Sequence, residues 1–369
     1  VTETLYRRPL PPGVVAFSSE DGRSLFAEAL SAGGLDGYFP LAEQFHTQSD
    51  PAFCGLGSLV VALNALGIDP GRLWKGPWRW FAEELLDCCV PLEQVRRRGL
   101  DIEELACLAR CNGADVEAHH ADDADLEAFR AAVLTGAKGS SVVVASYDRA
   151  ALEQTGSGHF SPIGGYHAAR DLALVLDVAR FKYPPHWVPL ERLYRAMEPI
   201  DSVTGRARGW MTLRARKQGI SLGFTVTCDR GGWDGLAGRL ESLKGDLKSA
   251  PDLGSLARAV APLVSYLELR TPSAPAHRNA LAEARAALAT LGVRRHVEEA
   301  IGSEHAEAVT LLLIAIGDLL PRARQRDIDL LSPSNPDQAA LAVEVGNVRA
   351  QLGAMWTHAS KKVESGREP

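Results

Sequence analysis

An α+β fold followed by a helical C-terminal region is what this sequence predicts, and three observations carry that expectation. Apolar residues recur at helical spacing over 54–66, 78–87, 101–112 and 124–134. Strand-like runs then follow one another at 141–147, 159–167, 172–178, 210–214 and 222–228. Beyond Cys228 alanine, leucine and arginine take over, and helical spacing returns at 234–248, 253–269, 277–291, 294–301, 304–320 and 336–357. Helices followed by consecutive strands is the order of an α+β domain whose sheet is antiparallel. The two patterns meet near 215–232, where Gly231-Gly232 breaks the periodicity, so the expected domains are 1–220 and 221–369.

The elements follow in chain order. Residues 1–40 are turn-rich. Asp50-Pro51 marks a turn, after which Leu56, Leu59, Val60, Leu63 and Leu66 lie on one helical face and Gly67 stands at the C′ position. Trp74, Trp78, Trp80 and Phe81, with Lys75 and Arg79 among them, are expected to pack the core of the first helices rather than to wall a site. Val309–Ile316 is apolar nearly all round and reads as a central buried helix. Leu331–Pro336 reads as a turn, and 359–369 as a frayed end.

Composition excludes several classes. No apolar run is long enough to span a bilayer. The first residues carry no leader-like apolar stretch, and a net charge of −6 gives no bulk reason to expect nucleic acid. Six unevenly spread cysteines do not form a secreted disulfide framework, so a reducing cytoplasm is expected. A homodimer is the one self-association this reading allows for.

Cys54 is the residue with most chemistry around it. It falls at the start of the 54–66 helix, where unpaired N–H groups and the positive end of the helix dipole favour thiolate. Gln48, six residues upstream, offers an amide that could donate to an oxyanion. His159 stands among glycines in Gly156-Ser157-Gly158-His159, and Asp177 lies near the end of the strand-like run eighteen residues later. Gln, Cys, His, then a carboxylate is similar to the order in papain-like enzymes, which usually carry Asn at the last position.

Four blocks, Thr47–Gly55, Ile68–Phe81, Gln154–Tyr166 and Leu176–Val188, resemble phytochelatin synthases, and the resemblance covers roughly 5–215. It implies a papain-like catalytic domain, with a helical half and an antiparallel-sheet half. It also implies a transferase that cleaves the Cys–Gly bond of glutathione through a thioester on Cys54. The γ-Glu-Cys unit then passes to another glutathione or phytochelatin. His159 is the expected base and acid, Asp177 its orienting group, and Gln48 an oxyanion donor.

Glutathione carries two carboxylates, and Arg180 and Lys182, shortly after Asp177, are the candidate clamps. Arg206, Arg208 and Arg214 are weaker candidates, and Asp50, Glu43 and Asp201 could each read the γ-glutamyl amine. Cys88-Cys89 and the i, i+4 pair Cys107 and Cys111 match the family's cysteine pattern and are candidate ligands for a soft metal; the bland alternative is four small buried hydrophobes. His119-His120 lie nearby. Only Cys228 lies beyond residue 111, so a cysteine-rich metal-responsive tail is absent from this sequence. Cadmium and zinc are therefore expected to act as activators carried by the substrate, as glutathione thiolate complexes. Two other readings compete: a cysteine peptidase that hydrolyses glutathione or its S-conjugates, and a non-catalytic metal-binding scaffold. His167 and His186 are the histidines that rival His159; His186 is expected to pack and His167 to lie at the surface.

Overall fold

The computed structural model describes residues 5–44, 46–71, 73–86, 90, 92–216, 224–226, 232–269, 275–317 and 339–364. The chain divides into two compact units: 1–68, 81–86 and 92–215 form one, and 69–80, 87–91 and 216–369 the other.

The first unit is built on a seven-stranded sheet. Its elements are β1 (Val15–Ala16), α1 (Glu20–Ser31), α2 (Tyr38–Ala42), α3 (Cys54–Ala65), α4 (Leu92–Arg98), α5 (Ile102–Cys111), β2 (Ala114–His120), α6 (Leu126–Ala137), β3 (Val142–Asp148), β4 (Gly158–His167), β5 (Leu172–Val175), β6 (His186–Pro189), α7 (Leu190–Arg195) and β7 (Gly209–Ala215). The strand order is β1-β6-β5-β4-β3-β7-β2, and every pairing is antiparallel. Mixed helix and antiparallel sheet is thus an α+β fold.

The central strands are buried along nearly their whole length, which is why β3 opens as a continuous apolar run, while β4 buries His159, Ser161 and His167 among its apolar residues. Phe129, Val133 and Ala137 of α6 join Val143, Ala145 and Tyr147 of β3 in one core. The helix α3 packs on β4 and β3. Gly67 ends it with φ of 66°, a left-handed conformation that costs glycine nothing. The β4–β5 register slips between Ile163 and Gly165. A Cβ on Gly165 would fall 2.2 Å from Leu35 Cδ2, so the sheet needs glycine there to admit that side chain.

Two expectations about the first ninety residues change. The turn-rich N-terminus contains α1, capped by Ser19, whose hydroxyl accepts from Gly22 N–H at 3.0 Å. No α-helix forms over the described residues 78–86 of the helix expected at 78–87: a hairpin closes at 74–78 through Trp74 N–H to Trp78 O (2.8 Å) and Trp78 N–H to Lys75 O (3.0 Å), and Glu83–Leu85 makes a short 3₁₀ turn. Gly76-Pro77 at the tip explains it, since proline cannot follow a continuing helix there. Nor do the tryptophans fill a core. Trp78 is 71% exposed and Trp80 44%, whereas Phe81 alone of that cluster is buried.

The second unit contains a two-stranded pair, β8 (Phe224–Val226) with β9 (Leu267–Leu269). Its helices are α8 (Gly232–Ser249), α9 (Leu253–Val260), α10 (Pro275–Thr290), α11 (Gly292–Ile301), α12 (Ala306–Ala315) and α13 (Ala339–Glu364). Residues Val309–Ile316 are buried throughout, as expected of a central helix. The turn expected at Leu331–Pro336, and Cys228, lie outside the described residues.

Candidate active site

Cys54 is the first residue of α3, and no side chain caps that helix end. The segment before it is held from three directions. Asp50 Oδ1 accepts from Ala52 N–H at 3.0 Å. Ser49 N–H donates to the buried carboxylate of Glu83 at 3.1 Å. Gln48 N–H donates to Val178 O at 3.0 Å, which ties the loop to the segment bearing Asp177.

His159 stands on β4, and Asp177 lies just past β5, where the chain leaves the sheet. His159 Nε2 meets Asp177 Oδ1 at 2.9 Å. That leaves Nδ1 as the ring nitrogen for Cys54, whose thiol lies within the electrostatic reach of the imidazole. Tyr147 stacks edge-on against the imidazole at 5.7 Å. Cysteine, histidine and aspartate thus form one connected chain.

The electrostatics favour an ion pair. Burial opposes ionisation of Cys54, but the hydrogen bond and charge of His159, the Phe160 N–H and the charge of Arg149 outweigh it and lower the thiol's pKa. Burial likewise disfavours charged His159, yet the Asp177 carboxylate beside it raises the imidazole's pKa. Asp177 is fully buried, which alone would raise its pKa; His159 and Arg149 hold it well below the usual carboxylate range. A lowered thiol and a raised imidazole both shift the pair towards thiolate–imidazolium. Alkylation of Cys54 by iodoacetamide should therefore persist well below the ordinary thiol range. In His159→Ala the same titration should move up towards that range; an unchanged profile would mean that His159 does not activate the thiol.

The sequence did not single out Arg149. It is 3% exposed, its NH2 contacts Asp177 Oδ1 at 3.0 Å and Oδ2 at 2.7 Å, and its guanidinium lies over the Tyr183 ring. Its NH1 donates to Gln154 Oε1 at 2.5 Å, and Gln154 Nε2 reaches His186 Nε2 at 3.3 Å. His186 Nδ1 donates to Pro184 O at 2.9 Å, so this ring packs behind the site, as expected. Ala179 N–H supplies a further donor to Asp177 Oδ1 at 2.8 Å. Arg149 gives a reason for Asp at 177 that the sequence does not show: an asparagine could orient the imidazole, but it would leave a buried guanidinium without a counter-charge.

The other candidates fall in different places. Gln48 is buried beside the loop, but its amide donates to Asp50 O (2.8 Å) and Pro51 O (3.0 Å). It braces the approach to Cys54, and one of those bonds must be released before it can serve an oxyanion. Lys182 lies against the loop before His159: its Nζ is 3.0 Å from where a Cβ on Gly156 would stand. Arg180 does not line the cleft at Cys54 but a different pocket. His167 is buried and bonded to Glu28 at 2.9 Å, not at the surface as expected. Cys88 and Cys89 lie outside the described residues. Cys107 is 1% exposed within α5, Cys111 is half-buried, and no group of three or more metal-ligating side chains occurs among the described residues.

A cleft of about 300 Å³ opens on Cys54 and His159. Its far wall carries Arg208 and Asp201, whose side chains meet at 3.3 Å. Arg208 is 8% exposed, and its Nε is buried without a partner. Gly158 makes room for it, since a Cβ there would lie 3.3 Å from both Nε and NH2. Arg208 NH1 also donates to Pro199 O at 3.0 Å and lies 3.6 Å from Asp148; the rival arginines point elsewhere, Arg206 to Asp122 and Asp123, and Arg214 to Glu117.

A family model for phytochelatin synthase matches residues 5–210, the span that holds this whole site. The chain belongs to the phytochelatin synthase family. It is 53% identical over 236 residues to glutathione gamma-glutamylcysteinyltransferase 1 of Triticum aestivum, covering 63% of this chain and 47% of that one. The enzyme of that name from Arabidopsis thaliana is 48% identical over 259 residues, 70% of this chain and 53% of the relative. Glutathione gamma-glutamylcysteinyltransferase of Schizosaccharomyces pombe is 41% identical over 256 residues, 69% and 61% respectively. The chain thus spans about half the length of the curated relatives it matches. Among the described residues of this phytochelatin synthase family member, no helix is long and apolar enough to cross a membrane.

Proposed function

We propose that this protein makes phytochelatins: it cleaves glutathione at the Cys–Gly bond and passes the γ-Glu-Cys unit to a second glutathione or a growing (γ-Glu-Cys)n-Gly. The observation that carries the reading is one cleft lined both by Cys54 and His159, with Asp177 buried behind the imidazole, and by an Arg208–Asp201 pair. The α-carboxylate of a γ-glutamyl group suits the Arg208 fork, and the α-amine suits Asp201. With that end fixed, the cysteinyl carbonyl faces Cys54.

Cys54 thiolate attacks that carbonyl carbon. The amide nitrogen then leaves with the proton of His159, and glycine departs. The helix-start N–H groups, and Gln48 once released from its loop, stabilise the oxyanion. The thioester carbonyl next accepts the γ-glutamyl α-amine of the acceptor, whose proton returns to His159 as the C–S bond breaks. Lys182 has no ion-pair partner among the described residues and is the candidate for an acceptor carboxylate.

The arrangement is papain-like in this reading, with the nucleophile at a helix start and the His and Asp on the adjoining sheet. Residues 1–220 would be the catalytic domain and 221–369 a mainly helical one. Cadmium or zinc would enter as part of the substrate, in glutathione thiolate complexes. A cytoplasmic setting suits a glutathione-consuming enzyme.

Incubation with glutathione and cadmium, with mass analysis of products, tests this. Glycine and (γ-Glu-Cys)n-Gly should appear together. Glycine with γ-Glu-Cys alone would make the protein a peptidase. S-methylglutathione, which cannot form a thiolate complex, should support synthesis in chelator; silence until metal is added would place the ion on the protein.

A further inference from the structure

Arg180 is half-buried, its Nε is sealed from solvent without a partner, and among the described residues its guanidinium has neither a hydrogen bond nor an ion pair. Taking a guanidinium out of water without a counter-charge is unfavourable, so such a group signals a missing anion. Burial indeed pushes its pKa down. The guanidinium lines a pocket of about 250 Å³ that shares no residue with the Cys54 cleft. The pocket's other cation is Arg7, held in place where Arg8 N–H donates to Lys182 O at 2.9 Å. Among the described residues no carboxylate lines it. Phe17, Leu176 and Pro185 form apolar walls, and Tyr38 adds a hydroxyl within the electrostatic reach of Arg180.

We propose that this pocket is a binding site for a small organic anion, an aryl or alkyl carboxylate whose charge sits on Arg180 and Tyr38 and whose body lies against Phe17, Leu176 and Pro185. The combination selects the ligand class. Arg180 without an ion pair, with Arg7 beside it and no acid among the described lining residues, favours negative charge, and a wall that is mostly apolar disfavours a fully hydrated ion such as inorganic phosphate. Nothing in this site depends on acyl transfer at Cys54, so it stands or falls separately from that reading.

The test uses the whole chain and 4-fluorobenzoate as probe, read by fluorine NMR and by thermal shift. Saturable binding and a rise in Tm are expected for the unmodified protein. Arg180→Met should weaken binding on the order of tenfold or more and abolish the thermal shift. The variant itself should melt no lower than the parent, because it removes a half-buried charge that has no ion pair. Tyr38→Phe should weaken binding less. Arg208→Met, which alters the other cleft, should leave it unchanged. Loss of binding in Arg208→Met with retention in Arg180→Met would overturn the proposal, as would no saturable binding at millimolar probe. Inorganic phosphate binding as well as fluorobenzoate would overturn the assignment of ligand class.

Discussion

Cys54→Ser will release no measurable glycine from glutathione and form no peptide, while the fold is retained. Serine at the same helix start keeps the size and the hydrogen-bonding capacity. It does not keep the low pKa: the helix end, the Phe160 N–H and imidazolium His159 suffice to ionise a thiol but not a hydroxyl. Loss of a nucleophile that acts as a unit with its base costs on the order of 10⁴-fold or more. Circular dichroism should match the parent, since Cys54 is only half-buried. Glycine release at even a hundredth of the parent rate would move the nucleophile to another residue.

Breaking the Asp177–Arg149 pair will cost more stability than either side chain's size suggests. Both are nearly fully buried, and Arg149→Met leaves Asp177 with only His159 and one backbone N–H. Removing one partner of a buried pair typically costs about 3–5 kcal/mol. Asp177→Asn strands Arg149 in the same way, and should retain weak activity because an amide can still orient His159. Asp177→Ala should lose more. The combined Arg149→Met, Asp177→Asn protein should be more stable than the sum of the single changes predicts, with a coupling of about 1–3 kcal/mol by denaturant unfolding. Additive losses would show that the pair contributes no mutual stabilisation.

That ion pair marks the boundary of what the sequence could reveal. Cys54, His159 and Asp177 were legible because each sits beside a punctuating signal: a helix period after a proline turn, a glycine cluster, the end of an apolar run. Arg149 has no such signal. It reads as a charged residue after a strand, and only the fold shows that it turns inward onto a carboxylate 28 residues away. The choice among Arg206, Arg208 and Arg214 was open for a similar reason. It is decided by the β2–β7 pairing, which sets Arg214 within reach of Glu117, and by the loop that gives Arg206 to Asp122 and Asp123.

Elements misread from the sequence fail for identifiable causes. β2, Ala-Asp-Val-Glu-Ala-His-His, is an edge strand with only Ala114 and His120 buried, so it lacks the apolar density of β3. The 78–87 segment has a helical share of apolar residues, but Gly76-Pro77 closes a hairpin first. Arg180 and Lys182, two residues apart, were read as one substrate clamp. In the structure Arg180 belongs to its own pocket and Lys182 packs towards Gly156. Short spacing in a loop says little about direction.

The claim at the centre of this account is a γ-glutamylcysteinyl thioester on Cys54. Mixing the protein with glutathione, quenching in acid and mapping peptides by mass measures it directly. The account predicts one added γ-Glu-Cys group on the peptide bearing Cys54, removed by hydroxylamine and absent from Cys54→Ser. The adduct on Cys107 or Cys111, or peptide synthesis with no adduct at Cys54 in a rapid quench, would contradict it.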